Sequence, residues 1–217
     1  MKLSREELID SLLLYAVTDR AWLHGNTLYE QVEKALRGGV TFVQLREKDL
    51  DEEAFLKEAL EIKKLCAEYE VPLVINDNVE VAKKSDADGV HVGQSDMEAA
   101  HAREILGPDK IIGVSAQTVE QAKKAEAAGA DYLGVGAVFP TISKDDAAEV
   151  PHDVLKAITE AVSIPVIAIG GINRENVSEL AGTGIVGIAS ITGIFAHPDV
   201  ESQATDLLWE TRKMLDE

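Results

Sequence analysis

Eight times along the chain a short apolar run gives way to a longer stretch with helical spacing, rich in Ala, Glu, Lys and Leu, and no other feature constrains the fold as strongly. Runs this short and this continuous suit strands buried on both faces, and the stretches between them suit crossover helices lying over a parallel sheet. The runs fall at 12–19 (LLLYAVTD), 41–47 (TFVQLRE), 72–77 (PLVIND), 89–93 (GVHVG), 111–116 (IIGVSA), 132–138 (YLGVGAV), 165–171 (PVIAIGG) and 184–190 (GIVGIAS). Helices are expected over 27–37, 51–69, 79–85, 97–106, 119–128, 152–162, 174–180 and 199–214. Thr118 with Gln121 after it, and Asn173, supply start signals; Gly38-Gly39, Gly107-Pro108 and Gly129 supply stops. Eight such units in 217 residues lie at the lower size limit of an α/β (β/α)8 TIM barrel. A doubly wound open sheet is the rival; it more often has about five or six strands, and no G-x-G-x-x-G fingerprint opens a helix here. No linker, charge block or low-complexity segment divides the chain, so one catalytic barrel domain over 1–217 is expected.

The apolar content of 46% is enough for one core, and charge narrows the partners. Lys plus Arg is 21 and Asp plus Glu is 39, so the net charge is 21 − 39 = −18, a field that repels nucleic acid and anionic membrane surfaces. An anionic small molecule must therefore meet a locally basic pocket. The start, MKLSREELID, lacks the basic region of an export signal, and no apolar run is long enough to span a bilayer. Cys66 stands alone, which excludes an internal disulfide, fits a reducing cytoplasm and suits a small apolar residue on a helix. A homo-oligomer is compatible with all of this.

In a TIM barrel the chemistry sits where strands end and the next loops begin. The third run ends on Asn76, Asp77 and Asn78, three polar side chains at the tip of a buried strand. Gln44, Arg46 and Lys48 occupy every second position after the second run, so an extended chain sends them off one face, where two cations and an amide suit an anion. A solvated strand end paired with Glu47 or Asp49 is the plainer alternative. Asp77 and Asp96 follow adjacent strands; each alone is more often a turn or cap residue, but facing a basic cluster they fit a Mg²⁺ ion that keeps some of its waters. Gly170-Gly171, and the residues around Ile191, Thr192 and Gly193 ahead of the last helix, suit a backbone that approaches a phosphate. Thr141, Ser143 and Lys144 in PTISK add hydroxyls and charge. His91, between Val90 and Val92, reads as a packed strand residue; His24, His101, His152 and His197 have no visible partners, and Trp22 and Trp209 read as packing residues.

The ordered set QLREK, INDNVEVA, DGVHVGQSD, GVSAQT, GADYLGVGAVFPTISK and AIGGI resembles the thiamine phosphate synthase family, over nearly the whole chain from Tyr15 to Ile194. The resemblance implies a transferase that joins 4-amino-2-methyl-5-hydroxymethylpyrimidine diphosphate to 4-methyl-5-(2-hydroxyethyl)thiazole phosphate and releases diphosphate. It assigns Gln44 to the pyrimidine, Arg46, Lys48, Asn76 and Lys144 to the diphosphate, and Asp77 and Asp96 to Mg²⁺. Ser115 falls beside the reacting methylene, with Arg46 and Lys144 assisting catalysis, and Thr141, Ser143, Gly171, Ile191 and Thr192 surround the thiazole phosphate. The chain departs from the family at Gln117, where histidine is usual, at Ser143 within the PTxTK pattern, and in GTGIVGIASIT of the eighth unit.

Three other functions compete. A thiazole tautomerase-like isomerase on a similar barrel is expected to use a histidine base and to lack the diphosphate and metal residues, which this chain retains. A Schiff-base aldolase would use Lys144 or Lys48 as nucleophile. A phosphate-sensing barrel would bind without releasing diphosphate.

Overall fold

The computed structural model describes residues 3–94, 99–141 and 149–216. Eight parallel strands close in sequence order: β1 (Leu14–Val17), β2 (Phe42–Leu45), β3 (Leu73–Asn76), β4 (Gly89–Val92), β5 (Ile111–Ala116), β6 (Tyr132–Val135), β7 (Val166–Ile169) and β8 (Gly187–Ser190), with β8 pairing back onto β1. The chain is a (β/α)8 TIM barrel, and each strand lies inside the apolar run expected for it.

Strand alternation divides the buried side chains into two layers. Leu14, Val43, Leu73, Val90 and Leu133 point outward into the layer beneath the helices, whereas Tyr15, Phe42, Val74, Tyr132 and Ile167 fill the barrel interior. The outer layer is closed by α2 (Leu28–Arg37), α3 (Glu52–Glu68), α4 (Val79–Lys84), α5 (Ala99–Leu106), α6 (Val119–Ala127), α7 (His152–Ala161) and, after the last strand, α9 (Val200–Asp216). Several of these helices start where a side chain caps a free backbone N–H: Thr27, Asp51, Asn78 and Thr118 each accept from the residue three positions on. Cys66 is buried in α3 as a free thiol, pushed up to about 12 by burial first, and packs as an inert small residue.

Four local expectations change. A helix, α1 (Arg5–Ser11), precedes the first strand; Ser4 and Glu7 form its capping box, and Leu8 and Leu12 join the interior cluster, closing the barrel at the strands' N-terminal ends. The segment 174–180 is only a 3-10 turn at Val177–Leu180. Asn173 Oδ1 accepts from Glu175 N at 2.8 Å and Asn176 Oδ1 accepts from Asn173 N at 2.9 Å, side-chain bonds that compete with a regular helical start. Thr192 and Gly193 do not lead into the last helix but form, with Ile194 and Phe195, the short helix α8 (Thr192–Phe195), whose buried Ile194 and Phe195 hold it against the core. Trp22 packs against the core, as expected of it, whereas Trp209 is 69% exposed. No helix among the described residues is long and apolar enough to cross a membrane.

Candidate active site

At the C-terminal ends of the strands one cavity of about 550 Å³ gathers Gln44, Arg46, Lys48, Asn76, Asp77, Ser115, Thr141, Gly171, Ile191 and Thr192. Asp96, Ser143 and Lys144 lie outside the described residues. The convergence follows from parity: Phe42 points into the barrel, so Gln44, Arg46 and Lys48 leave β2 on that same face, and Asn76 and Ser115 stand two residues beyond interior positions of β3 and β5. Val17, Ile167, Ile169 and Ala189 supply apolar wall between these polar groups.

The tip of β2 is held from both sides. Thr18, fully buried at the end of β1, accepts from Arg46 N at 2.9 Å through its hydroxyl, and Arg46 Nη1 lies 3.1 Å from Asp19 Oδ2. Arg46 is thus a buried cation with one carboxylate partner, and Lys48 beside it makes no ion pair among the described residues. The plainer alternative, pairing with Glu47 or Asp49, is not what forms. Glu47 instead turns to Arg20: Glu47 Oε2 is 2.8 Å from Arg20 Nε, and Glu58 Oε1 of α3 is 2.5 Å from Arg20 Nη2. Two carboxylates share one guanidinium, and their other oxygens, Glu47 Oε1 and Glu58 Oε2, are buried without a hydrogen-bond partner. Burial first, then the hydrogen bond and charge of Glu47, push the Glu58 carboxyl up to about 7 against the pull of Arg20. Burial and the neighbouring carboxylate thus favour the protonated form of Glu58.

The three polar residues at the tip of β3 have separate tasks. Asn76 lines the cavity and donates from Nδ2 to Asp77 Oδ2 at 2.7 Å. Asp77 has φ 61, a left-handed backbone that Asp tolerates better than most residues, and its N–H donates to His91 O at 2.8 Å. Asn78 caps α4 through Val81 N at 2.9 Å.

On the far side, Gly170 and Gly171 have φ 101 and 67, and each presses against the loop after β6: a Cβ at Gly170 would lie 2.5 Å from Ala137 Cα, and one at Gly171 would lie 2.5 Å from Pro140 O. That contact sets the wall carrying Thr141. Gln117 lines the cavity and donates from Nε2 to Gly136 O at 3.3 Å.

His91 is where the sequence reading falls short. It is a strand residue with its ring inside the barrel, but the ring lines the cavity, with Nε2 2.9 Å from Ser115 Oγ and Nδ1 2.9 Å from Tyr132 Oη. In a strand buried on both faces the flanking valines say nothing about which face carries function; the register Asn76↔His91 does, since it sets the ring level with a cavity residue. Of the other histidines, His24 meets Phe195 O at 3.0 Å and the His152 ring packs on Phe139 at 5.2 Å. A second cleft of about 250 Å³ at the opposite end of the barrel includes Lys63 and Lys110, but both are already paired, with Asp88 at 2.7 Å and Asp86 at 2.6 Å.

Known proteins carry the same architecture and much of the same sequence. The sequence model of the thiamine monophosphate synthase family matches residues 14–194. The chain is 50% identical over 191 residues to the thiamine-phosphate synthase of Clostridium acetobutylicum, covering 88% of this chain and 90% of that one. It is 47% identical over 205 residues to that of Caldanaerobacter subterraneus subsp. tengcongensis, covering 94% and 95%. The solved thiamine phosphate pyrophosphorylase from Pyrococcus furiosus superposes with a TM-score of 0.89 at 39% identity, over 96% of this chain and 99% of that one. At 17% identity and a TM-score of 0.71, covering 98% and 99%, the geranylgeranylglyceryl phosphate synthase of Thermoplasma acidophilum shares the fold alone.

Proposed function

The chain belongs to the thiamine monophosphate synthase family and is a transferase that forms thiamine phosphate; we propose that it does so by dissociative substitution in the cavity at the strand tips, the whole chain serving as one catalytic domain. The substrates are 4-amino-2-methyl-5-hydroxymethylpyrimidine diphosphate and 4-methyl-5-(2-hydroxyethyl)thiazole phosphate. Loss of diphosphate leaves a cation that the pyrimidine ring stabilises, and the thiazole nitrogen captures it. The observation that carries this reading is the meeting of Arg46 and Lys48 with Asn76, Asp77 and Ser115 around one cavity, in a chain whose net charge of −18 otherwise disfavours anions.

Each group has a task that its surroundings permit. Arg46 and Lys48 hold the diphosphate and offset the charge that grows on it as the bond breaks, with Asn76 donating to its oxygens. Gln44 orients the pyrimidine, and Ser115 stands at the reacting methylene. Val17, Ile167, Ile169 and Ala189 exclude water that would otherwise capture the cation. Thr141, Gly171, Ile191 and Thr192 take the thiazole phosphate. Ser143 at that phosphate and Lys144 at the diphosphate follow from the family resemblance.

The donor set suits Mg²⁺. Asp77 brings one carboxylate to the cation-lined cavity, and Mg²⁺ is commonly bound by one or two carboxylates together with substrate phosphate oxygens and water. Among the described residues no group of three or more His, Cys, Asp or Glu side chains could hold a metal, and a site of this kind does not need one. Asp77 and Asp96 would hold the ion, whose chemistry when bound is to neutralise the leaving diphosphate. The buried free thiol of Cys66 suits a reducing cytoplasm.

The deciding experiment is a diphosphate-release assay with both precursors, with and without Mg²⁺. Release that needs both precursors and the metal is expected; no release with both present would refute the reading.

A further inference from the structure

Four hydrogen bonds run in series across the cavity floor. Gln44 Nε2 donates to Tyr15 Oη at 2.7 Å, Tyr15 Oη meets Tyr132 Oη at 2.8 Å, Tyr132 Oη meets His91 Nδ1 at 2.9 Å, and His91 Nε2 meets Ser115 Oγ at 2.9 Å. The members stand on five different strands, β2, β1, β6, β4 and β5, so the barrel is threaded from one side to the other. Both tyrosines are fully buried, and Gln44 and His91 are nearly so. The backbone makes room for them: a Cβ at Gly113 would lie 2.2 Å from Tyr132 Cζ, and one at Gly134 would lie 3.2 Å from His91 Cε1.

Such a chain has a direction. Each phenol has one proton to give, and a neutral imidazole donates from one nitrogen and accepts at the other. With the Gln44 amide donating to Tyr15, the Tyr15 proton goes to Tyr132 and the Tyr132 proton to His91 Nδ1. His91 then carries its own proton on Nε2 and gives it to Ser115 Oγ. Two groups are left for the cavity: the Gln44 carbonyl as an acceptor and the Ser115 hydroxyl as a donor. An aminopyrimidine bearing an anionic leaving group needs that pair, an acceptor for its exocyclic amine and a donor for its departing oxygen. Reversing the chain would present the wrong partner at both ends.

We infer that Tyr15, Tyr132 and His91 are positioning residues that tie the orientation of the Gln44 amide to that of the Ser115 hydroxyl, so that recognition of the pyrimidine and assistance to the leaving group are set together. The inference rests on the assignment of Gln44 and Ser115 to the pyrimidine diphosphate. Burial raises both phenols above their ordinary range, which keeps the two tyrosine links protonated at any working pH.

The test has a spectroscopic arm and a kinetic arm. In ¹⁵N NMR of the wild-type enzyme, with the ring assigned by comparison with His91→Gln, the His91 proton should sit on Nε2. A proton on Nδ1 overturns the direction. Tyr132→Phe and Tyr15→Phe keep the rings and cut the chain, and each should lower kcat about tenfold, the scale of one ordered hydrogen bond. In a Ser115→Ala background, Tyr132→Phe should cost clearly less than about tenfold, because one of the two ends it serves is gone. Wild-type kcat in both Phe variants, or the same tenfold loss without Ser115, overturns the positioning role. If one Phe variant fails to fold, the other and the wild-type spectrum still decide. A wild-type enzyme that releases no diphosphate would instead refute the function, and the ring spectrum would then judge the chain alone.

Discussion

Gly171→Ala separates two roles that one glycine performs. At φ 67 an alanine pays about 1–2 kcal/mol for a left-handed backbone, partly offset by about 0.4–1 kcal/mol from the stiffer unfolded chain. The net cost is about 1 kcal/mol. The new Cβ would also lie 2.5 Å from Pro140 O, 2.8 Å from Phe139 Cβ and 2.9 Å from Phe139 O. That loop cannot simply retreat, because Phe139 N donates to Gly170 O at 3.1 Å and Val138 N to Ile169 O at 3.0 Å. Overpacking of this kind adds about 1–3 kcal/mol. Gly182→Ala is the control: φ is 71, but nothing lies within 4 Å of its Cβ, so only the backbone cost applies. Thermal melts should show Gly182→Ala down by about 2–4 °C and Gly171→Ala lower by a further 4–8 °C or so, the shift expected of about 2 kcal/mol in a chain of this size. Thr141, next to Pro140, should move with the loop, and initial rates against thiazole phosphate should show a raised KM for Gly171→Ala alone. Equal melting points in the two variants, with that KM unchanged, would refute the close-approach reasoning.

Other perturbations test other parts. Glu58 has its carboxyl raised from the ordinary 4.5 to about 7, so folding takes up a proton; its stabilising contribution is full below about pH 4.5 and is lost as pH rises through about 7. Glu58→Gln, which keeps a donor toward Glu47, should flatten the fall in Tm across that window, and a curve that overlays the wild type would remove Glu58 from the account. Asp77→Asn retains a residue that tolerates φ 61, so Tm should hold while kcat/KM in Mg²⁺ drops by about 10²-fold or more; undiminished Mg²⁺-dependent turnover would exclude Asp77 as a ligand. Phe42→Ala empties the space where Phe42 meets Tyr15 at 4.6 Å and Tyr132 at 5.8 Å, and urea unfolding should read a loss of about 3–5 kcal/mol.

The strands were legible because a barrel buries both faces of each one, which leaves short continuous apolar runs that nothing else in the chain imitates. The rim was legible for a related reason: polar residues such as Asn76 and Arg46 stand out at the tip of an apolar run. The cavity floor did not stand out, because Tyr15, Tyr132 and His91 sit within those runs, and the same parity that hides a packing residue hides a hydrogen-bonding one. Only cross-strand register, such as Asn76 opposite His91, separates them. The helix α1 carried a readable signal in the Ser4 and Glu7 box, masked by the short span of the pattern. The turn at 174–180 was misread because two asparagines recruit backbone donors locally, a competition that periodicity does not register.

With Leu8 of α1 and Leu12 just after it stoppering the strands' N-terminal ends, the barrel is a flask and not a tube. Both reactants and both products must use one neck, so a spent leaving group sits in the traffic of whatever arrives next.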